Sequence, residues 1–257
     1  MRVIQLPKIN SYVRQHRTSC AALSADFSFA GEKYSRLFSE KWRKAARPLI
    51  DWYTDELFVP EYPEDCIRPL VFNTCRTLCD VERMANDPLE ARGLGITASK
   101  LLRTYECHGG PRIECDASIR QLWLDHQYRL ASLVSLSDNS ILIDCHSFSN
   151  EPTLLVPDPS EARGIDICIG VNDDLTTPSV ALMDLVRSHF EQSGYRVAVN
   201  VPFSNSKTVD VPVRYTSVMI EVNKALYMDE RTLEKTEGFA RLQECIQSLY
   251  GRILCLR

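Results

Sequence analysis

The sequence has little glycine, no excess of basic residues and no long hydrophobic run. It contains only 10 glycines in 257 residues, and no Gly/Ser-rich linker divides it, so we expect one domain over residues 1–257. Lys and Arg number 30 against 34 Asp and Glu, which leaves none of the basic excess that nucleic-acid binding requires. No run of about 18 apolar residues occurs, so no membrane-spanning helix is expected either.

Cysteine is frequent, with 10 residues, but no CxxC pair occurs among them, which excludes a zinc ribbon. Several cysteines, such as Cys145 and Cys168, lie inside apolar stretches, where a reduced thiol behaves as a small buried hydrophobic group. The N-terminal segment lacks the apolar core of a signal peptide. These features together predict a cytoplasmic location.

Hydrophobic residues make up 44% of the chain and charged residues 25%, as in ordinary globular proteins. Apolar spacing predicts helices over 32–55 (one or two), 118–136, 178–193 and 231–250. Short apolar runs predict strands at 69–81, 141–146, 165–170, 195–200 and 217–223. The alternation indicates a single α/β domain, with a mixed, mainly parallel sheet flanked by helices. In such folds ligands bind beyond the carboxyl ends of the strands.

Asp144 and His146 close one of these apolar strands. Because side chains alternate along a strand, both residues share one face at the end of the sheet, whereas Cys145 points to the opposite face. A neutral imidazole is a good zinc ligand when a carboxylate holds its second ring nitrogen. The alternative is a hydrogen-bonded histidine that caps the next turn.

Glu221 is unusual because it lies inside the apolar strand Val218-Met219-Ile220-Glu221-Val222. Burying an unpaired carboxylate costs several kcal/mol, so the position calls for an explanation. Glu221 could act as a general base that takes a proton from water and returns it to a leaving amine. It could equally occupy an exposed strand face or a structural ion pair.

Arg76 and Arg83 follow another predicted strand, with Asp80 and Glu82 between them. A guanidinium group binds a carboxylate through two parallel hydrogen bonds, so both arginines are candidates for holding a substrate carboxylate. A solvated, salt-bridged loop would explain the same charges.

Several of these segments occur in an order that resembles the N-formylglutamate amidohydrolase family. The resemblance covers roughly residues 50 to 230 and is most specific at Ile220-Glu221-x-Asn223-Lys224-x-Leu226-Tyr227-Met228. The other matching segments are Asp51-x3-Asp55-Glu56-Leu57, Arg76-x3-Asp80-x2-Arg83, Asp144-x-His146-Ser147, Asp166-x3-Gly170 and Val199-Asn200-x-Pro202-Phe203.

The resemblance implies a fold similar to the zinc carboxypeptidases and a reaction that splits an N-acyl amino acid, such as N-formylglutamate, into formate and glutamate. It also implies one zinc ion per chain, a small-molecule substrate, and roles for individual residues. His146 resembles a zinc ligand, with Asp144 behind it, and Glu56 or Asp55 is the expected acidic ligand. Glu221 resembles the general base. The residues expected to bind substrate are Arg76, Arg83, Asn200, Asn223 and His126.

The sequence departs from the family pattern at three places. It lacks the N-terminal Pro-His-Ser-Gly segment whose histidine binds zinc in the family, and His16 is the candidate replacement. Glu82 stands where the family usually has Asn, and Ser204-Asn205 stands where glycines are usual. If His16 is only a surface residue, too few protein ligands remain for zinc.

Two other functions remain open. One is a different carboxypeptidase or amidase of the same superfamily, and the other is an inactive homologue that binds carboxylates. His126 could line the pocket or pair with Asp125 on its helix, and His189 is interpreted as structural. The sequence leaves the oligomeric state open.

Overall fold

A computed structural model describes residues 11–16, 47–64, 66–72, 74, 76–97, 117–135, 140–151, 159–205 and 215–256 of the chain. For residues 11–16 the description covers the backbone alone. The predicted helix or helices over 32–55 lie mostly outside these residues.

In the described part of the chain, a six-stranded mixed sheet forms the centre of the protein, in the order β2-β1-β3-β6-β4-β5. Its strands are β1 (Ser11–His16), β2 (Ile67–Phe72), β3 (Ser140–Phe148), β4 (Ile167–Gly170), β5 (Val197–Val199) and β6 (Tyr215–Asn223). The first four strands in that order are parallel to one another, whereas β4 pairs antiparallel with β6 and parallel with β5. The α/β class with a mixed, mostly parallel sheet is therefore confirmed.

Helices cover the sheet, and two of the three longer ones agree closely with the sequence prediction. The helices are α1 (Thr54–Leu57), α2 (Ala117–Val134), α3 (Val180–Gln192) and α4 (Gly238–Leu254). Ser179 caps the start of α3 by accepting a hydrogen bond from the backbone N–H of Leu182. Gly194, with a φ of 89°, follows its end in the left-handed conformation.

The final helix begins later than predicted, at Gly238. The chain before it forms a short hairpin of β7 (Met228–Asp229) and β8 (Glu234–Lys235). The carboxylate of Asp229 accepts hydrogen bonds from the backbone N–H groups of Arg231 and Thr232, which holds the turn between the two strands. Local side-chain hydrogen bonds of this kind are not visible in the helical periodicity.

The strand predicted over 69–81 is also shorter, since β2 ends at Phe72. The chain then turns at residues 76–78, and the guanidinium group of Arg76 binds the carboxylate of Asp51. The ion pair therefore lies outside the strand, in the loop that follows it.

The two faces of β3 have different neighbours. Ile143 and Cys145 belong to the main core, together with residues of α3 and α4, while Leu142 packs in a smaller cluster with Leu130 and Val134 of α2. The alternation confirms that Cys145 belongs to the core. It places Asp144 and His146 on the same face as Leu142. No helix in the described part of the chain has the length and apolar character needed to cross a membrane.

Candidate active site

A cavity of about 690 Å³ opens at the end of the sheet where β3 and β6 finish. Its polar wall includes Arg76, Glu82, Arg83, Ser147 and Glu221. Its apolar wall includes Leu49, Met84, Trp123, Phe148, Phe203 and Met219. The cavity lies where ligands bind in open α/β sheets, as the sequence predicted.

The parallel pairing of β3 and β6 brings His146 and Glu221 together. The two residues are direct partners in the register of these strands, and both side chains are buried. Side chains at paired positions of neighbouring strands point to the same face of the sheet. The fold therefore sets the predicted histidine directly beside the predicted base, and Glu221 is the member of this pair that lines the cavity.

Asp51 reaches the same place from the loop before α1. Its Oδ1 atom accepts hydrogen bonds from the backbone N–H of Ser147 at 2.8 Å and from the Ser147 hydroxyl at 3.1 Å. Its Oδ2 atom lies 3.5 Å from Nδ1 of His146 and 2.9 Å from Nη1 of Arg76. Burial alone would raise the pKa of Asp51, but Arg76 and His146 hold it well below its usual range.

Two further carboxylates approach the other nitrogen of the His146 ring. Nε2 lies 3.2 Å from Oδ1 of Asp144 and 3.2 Å from Oε1 of Glu82. Burial alone would lower the pKa of His146, but the charges of Glu82 and Asp144 outweigh it and raise this pKa well above its ordinary value. Asp144 thus contacts the second ring nitrogen of His146, as the sequence predicted.

Arg76 binds three carboxylates at once. Nη1 contacts Asp51 at 2.9 Å, and Nη2 contacts Asp80 at 3.3 Å and Glu82 at 3.0 Å. Arg83 has a longer ion pair, with its Nε atom 3.5 Å from Oδ2 of Asp80. Among the described residues, Arg76 therefore has three close carboxylate partners, whereas Arg83 has one longer ion pair.

Glu221 forms part of the cavity wall, and its Oε2 atom is buried with no hydrogen-bond partner among the described residues. Burial raises the pKa of its carboxyl to about 8; the nearby His146 opposes this rise, and Asp51 and Glu82 add to it. A carboxylate in this setting binds a proton more strongly than one in water. It can therefore accept a proton and later release it near neutral pH.

The buried charges around His146 do not balance within the described part of the chain. Lys224 is fully buried, and its Nζ donates to the carbonyl of Pro48 at 2.7 Å. The carboxylates are Asp51, Asp80, Glu82, Asp144 and Glu221, and the cationic side chains are Arg76, Arg83 and Lys224. Two positive charges are therefore needed to neutralise the cluster, either as a divalent cation or as two protons.

The donor atoms have the chemistry of a zinc site, because zinc prefers imidazole nitrogen and carboxylate oxygen among its ligands. Nδ1 of His146 and Oδ2 of Asp51 are 3.5 Å apart and form a pair of such donors. Among the side chains that the structure describes, no group of three or more His, Cys, Asp or Glu residues is arranged to hold a metal ion. A third protein ligand would have to come from elsewhere in the chain.

His16 is the sequence candidate for that ligand. It ends β1, one residue after Gln15, which pairs with Cys145 of β3, so its backbone reaches the level of His146. Its side chain lies outside the described residues.

The acidic residues that the sequence favoured as ligands are placed differently. Glu56 has a side chain that is 54% exposed, and its carboxylate pairs with Nζ of Lys235 at 2.5 Å rather than approaching His146. Asp55 precedes it in α1 and is half-buried. The carboxylate that contacts His146 is instead Asp51, which begins the same acidic run.

The sequence did carry a signal for Asp51. This residue stands between the apolar residues Leu49-Ile50 and Trp52, and it is almost completely buried. A carboxylate inside an apolar run was the feature that singled out Glu221, and the same criterion selects Asp51 over Glu56. Lys224 was missed for a different reason, because its Nζ atom contacts a distant carbonyl group that local sequence does not indicate.

Three predicted substrate-binding residues do not line the cavity. Asn200 has a φ of 56°, and its side-chain oxygen accepts a hydrogen bond from the backbone N–H of Val171. Asn223 donates to the carbonyl of Ile165 and accepts from the N–H of Ala225. His126 is buried on α2, with its ring edge-to-face against Phe72 at 5.1 Å. The contacts of these three side chains support the fold around the site.

Two of the three departures from the family pattern lie at the cavity itself. Glu82 and the pair Ser204-Asn205 all line it. The Nδ2 atom of Asn205 donates to the hydroxyl of Ser217 at 2.8 Å, which ties this part of the wall to β6. The residues that differ therefore shape the space available to a substrate.

The overall fold matches two solved structures. The first is an N-formylglutamate amidohydrolase from Ralstonia eutropha JMP134, with a TM-score of 0.69 and 21% identity over 97% of this chain and 95% of that chain. The second is a gene product of Agrobacterium tumefaciens, with a TM-score of 0.52 and 14% identity over 96% and 90% of the two chains. At these identities the likeness establishes the fold. No curated protein matches the sequence significantly.

A family model gives the relationship at the sequence level. The model described as N-formylglutamate amidohydrolase matches residues 25–228, which is most of the chain and includes every residue of the buried cluster. The match supports an amidohydrolase function with a small-molecule substrate. The chain therefore belongs to the N-formylglutamate amidohydrolase family.

Proposed function

We propose that this protein is a zinc-dependent amidohydrolase that cleaves the amide bond of a small N-acyl amino acid. The observation that carries the proposal is the position of Glu221. Its buried carboxyl group faces the cavity beside His146, with one oxygen atom that forms no hydrogen bond to the described residues. A structural ion pair would have used that atom.

Glu221 is the proposed general base. Amide hydrolysis requires a proton to leave the attacking water and another to reach the departing nitrogen, and one carboxylate can perform both transfers. The raised pKa of Glu221, about 8, suits the second transfer because the protonated form persists near neutral pH. His146 and the apolar walls exclude bulk water from one side of the group.

His146 and Asp51 are the proposed zinc ligands in the described part of the chain, with His16 as the third protein ligand. Asp144 would hold the imidazole through Nε2, which leaves Nδ1 for the metal. A zinc ion bound there would supply Lewis acidity, which polarises an acyl carbonyl and lowers the pKa of water. Its two positive charges would also neutralise the excess of carboxylates in the cluster.

Arg83 is the proposed contact for the carboxylate of the substrate. It lines the cavity, and its side chain is 19% exposed. Among the residues that the structure describes, its ion pair is with Asp80 alone, at 3.5 Å. A guanidinium group whose ion pair is this long can still donate hydrogen bonds to a better-placed carboxylate.

Metal analysis combined with turnover tests the proposal. The purified protein should contain one zinc per chain and release formate from N-formyl amino acids, and a chelator should abolish the activity until zinc is restored. Glu191→Gln serves as a control, since Glu191 pairs with Arg187 on the exposed face of α3. If the zinc-loaded protein releases no formate but still binds carboxylates, it is an inactive binding homologue. Cleavage of longer peptides would indicate another hydrolase of the superfamily.

A further inference from the structure

The charges on the cavity wall limit how many substrate carboxylates the site can bind. Both terminal nitrogens of Arg76 already contact carboxylates, and the side chain is only 14% exposed. The guanidinium group has further N–H donors, but a substrate carboxylate bound there would add a fourth negative charge beside Asp51, Asp80 and Glu82. Repulsion among these carboxylates opposes such binding.

Glu82 makes this limit stricter. Its Oε2 atom accepts from Nη2 of Arg76 at 3.0 Å, while its Oε1 atom lies 3.2 Å from Nε2 of His146. The residue also lines the cavity, where it presents negative charge. A second substrate carboxylate would therefore meet a paired arginine and a like charge. Among the described residues of the cavity wall, Arg83 is left as the anchor for a single carboxylate.

Much of the remaining cavity wall is apolar, alongside the polar residues Asn86, Asp87, Ser149, Asn172, Ser204 and Asn205. Met219 lies two residues before Glu221 on β6, and Phe148 lies two residues after His146 on β3, so both share the face of the proposed catalytic groups. The rings of Phe148 and Phe203 pack edge-to-face at 6.3 Å. Leu49, Met84 and Trp123 continue the same wall. Apolar surface thus begins directly beside the proposed catalytic groups.

The cavity is also larger than a short dicarboxylate requires. Its volume of about 690 Å³ is within the range of pockets that enclose drug-sized molecules, roughly 300–1,000 Å³. The volume is compatible with a large apolar side chain beside the amide group.

We propose that the site selects N-acyl amino acids with one carboxylate and a large apolar side chain over N-acyl dicarboxylates such as N-formylglutamate. This inference rests on the proposed amidohydrolase function and specifies its substrate class. Arg83 holds the single carboxylate, and the wall formed by Phe148, Phe203 and Met219 holds the side chain. Glu82 opposes a second negative charge.

A paired comparison of substrates tests the inference. The zinc-loaded enzyme should hydrolyse N-formyl-L-phenylalanine with a kcat/KM at least about ten-fold above that for N-formyl-L-glutamate, because burial of an aromatic side chain stabilises its complex. Equal values, or a preference for N-formyl-L-glutamate, would overturn the inference and leave the amidohydrolase function intact. If neither compound is hydrolysed, the proposed function fails. Calorimetry then compares the binding affinities of N-acetyl-L-phenylalanine and N-acetyl-L-glutamate, which tests the selectivity separately from turnover.

Two variants separate the charge from the apolar wall. Glu82→Gln removes the negative charge and loosens one contact of Arg76, so the preference for the phenylalanine substrate should shrink by about ten-fold or more. Phe203→Ala should reduce kcat/KM for the phenylalanine substrate several-fold and leave that for the glutamate substrate unchanged. Leu175→Ala is the matched control, because Leu175 is 83% exposed and does not line the cavity. An unchanged substrate ratio in both Glu82→Gln and Phe203→Ala would contradict the proposal.

Discussion

Two buried histidines show how differently one side chain can be used in this protein. His146 is 1% exposed at the end of β3, and His189 is 6% exposed on α3. His146 lies among the carboxylates Asp51, Glu82 and Asp144. His189 instead contacts the carbonyl of Cys245 at 2.8 Å and the guanidinium of Arg252 at 3.1 Å.

The electrostatic consequences are opposite. The carboxylates raise the pKa of His146 despite its burial, whereas burial and the positive charge of Arg252 lower the pKa of His189, against the hydrogen bond from its ring to Cys245. His189 is thus neutral, with Nε2 donating to Cys245 and Nδ1 accepting from Arg252, and it joins α3 to α4. Burial does not distinguish a site histidine from a structural one; the charges around it do.

The largest expected effect comes from replacing a glutamate by glutamine near each of the two histidines. Glu221→Gln at the cavity should reduce kcat by about 10²–10⁴-fold, because an amide cannot transfer the proton. Glu191→Gln, two residues after His189 on α3, should leave kcat unchanged. Both variants should be measured with zinc bound. A Glu221→Gln enzyme with wild-type turnover would remove this residue from the chemistry.

The next prediction tests which acidic residue contacts His146. Asp51→Asn removes the negative charge between Arg76 and His146 and should lower the free energy of unfolding by about 3 kcal/mol. Glu56→Gln, which affects an exposed pair with Lys235, should change it by less than about 0.5 kcal/mol. Urea unfolding in the presence of a chelator measures both. The zinc content should fall in Asp51→Asn and stay at the wild-type level in Glu56→Gln. Equal zinc content and equal stability in the two variants would contradict the placement of Asp51 beside His146.

Replacing each histidine by glutamine sharpens the comparison. His189→Gln removes the ring and the Nδ1 atom that contacts Arg252 and should lower the free energy of unfolding by about 1–2 kcal/mol, with kcat/KM unchanged. His146→Gln should abolish zinc-dependent turnover. Thermal unfolding and formate release on the same preparations provide the two readouts. Loss of turnover in His189→Gln at full zinc occupancy would show that α3 also contributes to the site.

The smallest effect is a dependence of stability on pH. Because the folded pKa of His189 is below its unfolded value of 6.5, its contribution to stability is fully present above pH 6.5 and decreases as the pH falls below that value. The slope from one such group is at most about 1.4 kcal/mol per pH unit. Urea unfolding of wild type and His189→Gln between pH 7.5 and 5 should show the smaller slope in the variant. Identical slopes would mean that His189 keeps its unfolded pKa.

Much of the sheet could be predicted because its signals are local. The runs that became β3, β4 and β6 are short, apolar and bounded by polar turns, and the spacing of α3 ends at Gly194. The late start of α4 could not be predicted. The Asp229 carboxylate accepts hydrogen bonds from backbone N–H groups and holds a hairpin there. These hydrogen bonds cannot be inferred from helical periodicity.

The site was predictable where one strand carried the information. Asp144, His146 and Glu221 stand out as polar groups in apolar strands, and the parallel register then sets His146 beside Glu221. The acidic residue beside His146 was not predictable from spacing in the acidic run. Asp51 and Glu56 differ in what surrounds them across the fold, since one meets Arg76 and the other meets Lys235.

By itself the sequence determined the α/β class, the family and the strands that carry His146 and Glu221. These depend on hydrophobic periodicity and on residue order, both of which are properties of neighbouring positions in the chain. Only the tertiary structure decided that Asp51 contacts His146, that Arg76 pairs with three carboxylates, and that Arg83 has a longer ion pair with Asp80. Those outcomes depend on charges brought together from separate segments, because the strength of a buried ion pair is set by distance and burial rather than by position in the sequence.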